Sequence, residues 1–155
     1  MKTIIAGLLI CILVASCDTN SQKQTAEKEK LSIQGTWKLI SGTLIENGDT
    51  TITDYTKDIS FIKIINDDHF AFLSHDVHKG KSADSAFSAG GGSYSLKDSL
   101  YTEHLEYCND RQWEGNNFDF AITIHNDTLT QTGIEKVESA GVNRLNIEKY
   151  SRIKN

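Results

Sequence analysis

From about residue 31 onward, apolar and polar side chains alternate with a period of two along most of the chain. Such alternation is typical of strands that bury one face, whereas an amphipathic helix would repeat every 3.6 residues. The pattern predicts eight strands, at residues 35–46, 58–65, 69–75, 91–96, 100–108, 118–125, 128–133 and 144–153. A long helix is not predicted, and one short helix is expected at residues 135–140.

Short polar clusters at 66–68, 97–99 and 126–127 separate several of these strands, as hairpin turns do. The chain contains no proline, so every backbone N–H can join a ladder. We therefore predict an all-β fold: an up-and-down antiparallel β-barrel of about eight to ten strands, because closure removes exposed edges. The longer connections at 76–90 and 109–117 are expected to rim its mouth. The glycines at 90–92 predict a bulge or a flexible strand start.

Residues two apart on a strand share a face, so the alternation also predicts the barrel interior. The apolar face of the 118–125 strand identifies the core side, and the other strands are aligned to it. The residues predicted to face inward are Trp37, Leu39, Tyr101, Glu103, Leu105, Tyr107, Phe118, Phe120, Ile122, Ile124, Glu148, Tyr150 and Arg152. The interior should therefore hold phenols, two carboxylates and an arginine among apolar side chains.

The first 30 residues follow a different pattern. Lys2 precedes an apolar run at 4–15 that is typical of an export signal and shorter than the roughly 20 residues of a membrane span. The run ends in Val-Ala-Ser-Cys, a lipobox in which the Cys17 thiol takes the lipid. We expect a signal peptide at 1–16, a lipidated (palmitate-type) Cys17 with a flexible polar tether at 17–30, and the barrel domain at 31–155. The expected location is the bacterial cell envelope, lipid-anchored in the outer membrane, periplasmic or surface-exposed, with the membrane as a partner.

The charge and the cysteine content of the chain limit which partners and which disulfides are expected. The chain has 16 Lys and Arg against 21 Asp and Glu, and losing Lys2 with the signal makes it more acidic still. Nucleic acid is therefore not an expected partner, because phosphate binding needs clustered cations. After removal of Cys11 and lipidation of Cys17, Cys108 remains alone, so no intramolecular disulfide is expected. We expect a monomer without cofactor.

Several stretches carry a family resemblance. The first strand begins Gly35-Thr36-Trp37, the last strand carries Arg152, and the stretches 92–96, 101–107, 126–133 and 148–152 follow in order. Together they resemble the lipocalin-like domains of bacterial lipoproteins, within the lipocalin and fatty-acid-binding superfamily. The resemblance implies a barrel with a central cavity, in which Trp37 plugs the closed end and Arg152 packs across its face. It implies no established ligand or activity.

The inward polar residues are the candidate site. Tyr101, Glu103, Tyr107, Glu148, Tyr150 and Arg152 are the predicted ligand-binding residues. Alternatively they form a structural network, since buried charges must be paired. Glu103 is then the expected partner of Arg152, because Glu148 and Arg152 lie about 13 Å apart on one strand. A tyrosine hydroxyl would donate to Glu148.

Three functions remain open at this point. The favoured one is a barrel that binds a small hydrophobic or amphipathic molecule. The alternatives are a filled barrel with a structural or protein-interaction role, and an enzyme using Glu103 and Glu148 as an acid–base pair. The chain has no nucleophile motif, so we do not expect an enzyme. His69, His75 and His78 lack the spacing of a metal site and are expected to be solvated, so no metal is predicted.

Overall fold

A computed structural model describes residues 32–81, 83 and 85–154. In this part of the chain there are nine strands and one 3-10 turn at Glu138–Ala140. The strands are β1 Gly35–Glu46, β2 Asp49–Asp54, β3 Ile59–Ile65, β4 His69–Asp76, β5 Phe87–Lys97, β6 Leu100–Cys108, β7 Asn117–His125, β8 Thr128–Val137 and β9 Val142–Arg152. The all-β fold predicted from the alternation is confirmed.

The strands close into a barrel. Each strand from β3 to β8 pairs antiparallel with the next, and β9 pairs antiparallel with β1. The first part of β1 pairs with β3 and completes the circle, while its second part pairs with β2. The result is a lipocalin-like, eight-stranded closed barrel with β2 as an extra strand outside it. All the ladder pairs that close the barrel lie between Gly35 and Arg152, so a fragment that begins at residue 31 retains every one of them.

The two ends of the barrel differ. Tight turns join β5 to β6 and β7 to β8 at one end, with Asp98 and Asn126 in the left-handed conformation that Asn and Asp tolerate. The segment preceding β1 covers the same end, where Ile33 and Trp37 are buried. The longer connections, including residues 109–116 between β6 and β7, lie at the other end. One end is therefore closed and the other carries the longer loops.

The core fills the closed half of the barrel. Its largest fully buried side chains include Trp37, Leu39, Tyr101, Phe120, Ile122 and Tyr150. All of these were predicted to face inward, as were the buried Glu103, Leu105 and Phe118. The predicted face assignment is confirmed for these residues.

Two β-bulges change which residues face inward. In β1 the register with β9 shifts between Leu39 and Ser41, so odd-numbered residues face inward before the shift and even-numbered residues after it. In β6, Gly91 pairs with Tyr107 while Gly92 pairs with Leu105, which leaves Glu106 as the extra residue. A Cβ on Gly92 would lie 1.9 Å from the His104 carbonyl oxygen, so the bulge requires glycine there. The register shift expected at the glycine run is present, but the extra residue is on β6, opposite the glycines.

The second bulge overturns one predicted orientation. Tyr107 was expected to share the inward face of Tyr101 and Leu105. Because Glu106 is an extra residue, the alternation changes phase, and Tyr107 is 68% exposed. The prediction of an inward Tyr107 is wrong, and Cys108 faces the interior in its place.

Three element predictions also need correction. Strand β2 was not predicted, because its sequence DTTITD is mostly exposed and has no apolar alternation. The helix expected at 135–140 is absent: β8 continues to Val137, and only the 3-10 turn follows it. Strand β5 begins at Phe87, so the connection expected at 76–90 is shorter.

Candidate functional site

The end with the longer loops opens into a cavity of about 450 Å³. A second, smaller space of about 90 Å³ lies against it, toward the core, and the two share Phe61, Phe72, Trp113, Glu135 and Glu148 in their walls. The connection that carries Trp113 was predicted to rim the mouth, and Asn109, Asp110 and Trp113 do line it. The barrel is therefore filled in its closed half and hollow in its open half.

Aromatic rings form much of the cavity wall. Phe61 from β3 and Phe72 from β4 stack with centroids 5.8 Å apart and an interplanar angle of 11°. Tyr55, which follows β2, meets Phe61 edge-on at 6.0 Å. Burial raises the pKa of the Tyr55 hydroxyl, and the charge of Glu148 raises it further. The wall thus offers flat apolar faces next to a carboxylate.

An ion pair between Arg144 and Glu135 lies in the opposite wall of the cavity. The Arg144 Nε lies 2.7 Å from the Glu135 carboxylate, which also accepts a hydrogen bond of 2.8 Å from the Asn146 side chain. The Arg144 guanidinium lies 5.4 Å from the centre of the Trp113 ring. This cation–π contact ties the loop that carries Trp113 to the start of β9.

Lys63 lies at the floor of the hollow half. Its ammonium donates to the Glu103 carboxylate at 2.7 Å and to the Gln131 side-chain oxygen at 3.1 Å. It also lies 5.3 Å from the centre of the Tyr150 ring. Burial alone would lower the pKa of the Lys63 ammonium, but the charges of Glu103 and Glu148 outweigh burial and raise it. Lys63 is therefore a charged group in the middle of the barrel.

Glu148 lies at the junction of the two spaces, where it lines both. The Tyr150 hydroxyl donates to its Oε2 at 2.8 Å, which is the expected hydrogen bond from a tyrosine. Burial raises the pKa of the Tyr150 hydroxyl well above its ordinary value, and the charge of Glu148 adds to the effect. Tyr150 is thus a neutral donor that holds Glu148 in place.

Trp37 and Arg152 lie at the closed end, away from the cavity. The Arg152 guanidinium lies 4.0 Å from the centre of the Trp37 ring and donates to the backbone carbonyls of Gln34 and Ser32. Gly35 adopts φ +130°, and a Cβ there would lie 2.9 Å from the Arg152 guanidinium. The glycine of the Gly-x-Trp motif therefore leaves room for the arginine.

The predicted site residues are only partly brought together. Glu103, Glu148 and Tyr150 line the deeper space. Tyr101 lies beneath it, buried against Phe70 and Tyr94, and Tyr107 points outside the barrel. The pairing of Arg152 with Glu103 is wrong, because Arg152 binds backbone oxygens at the closed end while Glu103 pairs with Lys63.

Sequence reasoning missed Lys63 and most of the mouth. Phe61, Lys63 and Ile65 share the inward face of β3, but Ile62 and Ile64 make the other face apolar too, so alternation does not decide the orientation. The apolar neighbours at positions 61 and 65 were the available indication. Glu135 was assigned to a helix, and so its place in the wall was not seen.

The predicted lipid anchor and the histidines considered as metal ligands are not part of the described lining of this cavity. Cys17, the signal peptide and the tether lie outside the described residues. In the part of the chain that is described, no helix has the length and apolar character needed to cross a bilayer. Nor do the described residues group three His, Cys, Asp or Glu side chains where a metal ion would bind. His69 and His78 are exposed beside Asp68 and Asp58.

No protein-family model matches the sequence, and no curated protein matches it. The barrel and the chemistry of its cavity are therefore the features that point to a function.

Proposed function

We propose that the protein is a lipid-anchored lipoprotein of the bacterial envelope, of the lipocalin-like family, whose barrel binds a small hydrophobic or amphipathic molecule. The observation that carries the binding proposal is the open cavity of about 450 Å³ with aromatic walls and a few polar groups. Small-molecule sites in proteins are concave, mostly apolar and of this size. The lipobox at Cys17 supports the anchor.

The competing functions have less support. A filled structural barrel agrees with the closed half, where side chains meet, but it leaves the hollow half without a role. An acid–base pair of Glu103 and Glu148 would need two accessible carboxylates, whereas Glu103 is 7% exposed and held by Lys63. The cavity therefore favours binding over both alternatives.

Native mass spectrometry tests the binding proposal directly. Residues 31–155, purified gently from the native host, should carry a bound molecule that organic solvent removes. Cys108, the single cysteine of this segment, lines the cavity and reports its occupancy. Iodoacetamide should modify Cys108 more slowly in the loaded protein than in the stripped one. Bare protein from the host, together with no binding from a library of lipophilic compounds, would contradict the proposal.

The anchor is tested separately in the full chain. Cells that express the protein should incorporate labelled palmitate into it, and Cys17→Ser should abolish both the label and membrane recovery. Cys11→Ser is the matched control, because Cys11 lies within the proposed signal, and it should change neither. Persistent labelling of the Cys17→Ser variant would rule out the lipobox as the lipidation site.

A further inference from the structure

The cavity mouth carries more carboxylates than cations. Its described lining includes Asp110, Glu135 and Glu148 as acids, against Arg144 as the one guanidinium. Arg144 is already paired with Glu135 at 2.7 Å. Asp110 is exposed to solvent, which screens its charge, so Glu148 is the carboxylate that contributes most to the field inside the cavity.

Glu148 has no cation of its own among the residues that the structure describes. No described lysine, arginine or histidine lies within ion-pair distance of its carboxylate. Its Oε2 accepts from Tyr150, and no described side chain donates to its Oε1. Lys63 lies deeper and already binds Glu103 and Gln131. A carboxylate that lines a cavity without a counter-ion leaves a place for a positively charged ligand.

The aromatic walls favour the same charge. Positive groups are attracted to the faces of aromatic rings, and this attraction increases where water is excluded. Tyr55, Phe61, Phe72 and Trp113 line the mouth around the position of Glu148. The Trp113 ring already accepts the Arg144 guanidinium at 5.4 Å, and Lys63 lies near three rings at the floor.

An anionic ligand would be bound less well in this cavity than a cationic one. The cations that line the two spaces, Lys63 and Arg144, are each held by a carboxylate. A ligand carboxylate that approached either cation would be repelled by the carboxylate already paired with it, Glu103 or Glu135, and also by Glu148. The electrostatics of the cavity therefore select against fatty-acid-like anions.

We propose that the ligand is an amphipathic organic cation, whose protonated amine pairs with Glu148 and whose apolar part packs against Phe61 and Phe72. This inference rests on the proposed ligand-binding function and deepens it by naming the ligand class. It assigns Glu148 a role in selecting ligand charge.

Three probes of equal chain length test the inference: octylamine, octanol and octanoate, titrated calorimetrically into residues 31–155 at neutral pH. The ammonium form of octylamine should bind best and octanoate worst, with at least about a tenfold difference in Kd between them. Octanoate binding as tightly as octylamine would overturn the inference and leave the proposed binding function intact. Failure of all three to bind would contradict both.

Two variants test whether Glu148 causes the preference for a cationic ligand. Glu148→Gln keeps an oxygen to accept from Tyr150 and should weaken octylamine binding to the level of octanol, while octanol binding is unchanged. Glu138→Gln, which removes an exposed carboxylate, is the control for net charge and should leave all three affinities unchanged. Unchanged octylamine binding by Glu148→Gln would overturn the role of Glu148. The order of the three probes in the unaltered protein tests the charge preference even if the variant folds poorly.

Discussion

The Lys63 ammonium lies 2.7 Å from the Glu103 carboxylate, with the lysine side chain 3% and the glutamate side chain 9% exposed. The two residues are on β3 and β6, so their contact spans the barrel interior rather than a ladder of neighbouring strands. Gln131 from β8 supplies a further acceptor to Lys63. The floor of the cavity is thus a polar cluster that joins three separate strands.

Removing one partner of this pair should destabilise the protein strongly. Lys63→Met leaves Glu103 buried without its cation, and we expect a loss of about 3–5 kcal/mol in the free energy of unfolding. The double variant Lys63→Met with Glu103→Leu removes both charges and should recover most of that loss. Urea unfolding measures both. Lys136→Met, which breaks an exposed pair with Glu138, is the control and should change little. Equal loss in the single and double variants would refute the pairing argument.

The Tyr101 hydroxyl is buried, and no described group forms a hydrogen bond with it. Tyr101→Phe removes this unsatisfied group without creating a cavity. We therefore expect the free energy of unfolding at neutral pH to stay the same or to rise by about 1 kcal/mol. Chemical denaturation of both proteins measures the difference, with the exposed Tyr107→Phe as the matched control. A clear loss of stability in Tyr101→Phe would show that the hydroxyl has a stabilising partner.

Alkaline pH should unfold the protein, with Tyr101 and Lys63 contributing. Burial, with the charge of Glu103, raises the pKa of the Tyr101 hydroxyl above its ordinary value of 10.0, and the pKa of Lys63 is raised above 10.5. Above about pH 10 the folded state therefore holds more protons than the unfolded chain, so stability present below that pH is lost as the pH rises. Unfolding free energies measured from pH 8 to 11 should fall less steeply in Tyr101→Phe than in the unaltered protein. Parallel curves for the two proteins would contradict this assignment.

Arg152 should matter for stability and not for ligand binding. Arg152→Met loses the contact with Trp37 and two hydrogen bonds to backbone carbonyls, so we expect a loss of about 1–3 kcal/mol. The affinity for octylamine should be unchanged, because Arg152 lies at the closed end. Thermal or urea unfolding and calorimetry give the two readouts. Arg111→Met, at an exposed position of the rim loop, is the control for removing a positive charge. A change in the affinity for octylamine without a change in stability would contradict this prediction and show that Arg152 contributes to the ligand site.

Filling the mouth should weaken ligand binding while the barrel stays folded. Leu44 lines the cavity from β1, and Leu44→Trp places an indole in the space of about 450 Å³. We expect octylamine affinity to fall by about tenfold or more, a loss of about 1.4 kcal/mol or more in binding free energy. Ile52→Trp adds the same group at a position that is 72% exposed and should leave the affinity unchanged. Full binding by Leu44→Trp would place the ligand outside this cavity.

The local pattern of apolar and polar residues was sufficient to predict most of the fold. Period-two alternation placed eight of the nine strands, because a strand with one buried face must alternate. The exception, β2, pairs with the second half of β1 outside the closed barrel and buries little, so its polar sequence does not alternate. The core positions Trp37, Phe120 and Tyr150 followed from the same rule.

The candidate site was less predictable because it depends on bulges and on contacts across the barrel. Each bulge reverses the alternation beyond it, which moved Tyr107 outside and brought Cys108 inside. The partner of Glu103 is Lys63, 40 residues away in sequence, between two isoleucines that hide its orientation. Neither feature has a local pattern that predicts it.

The sequence by itself determined most of the strand-forming segments, the tight turns and the acidic balance, and it is the source of the lipobox prediction at Cys17, since each is a property of the residues themselves. Tertiary structure decided that Arg152 covers Trp37 without entering the cavity, that Lys63 pairs with Glu103, and that Glu148 faces the mouth with no described cation beside it. These outcomes require strand register and barrel closure, which bring together side chains distant along the chain. Charge pairing in a low-dielectric interior then determines which described carboxylate is left without a cation.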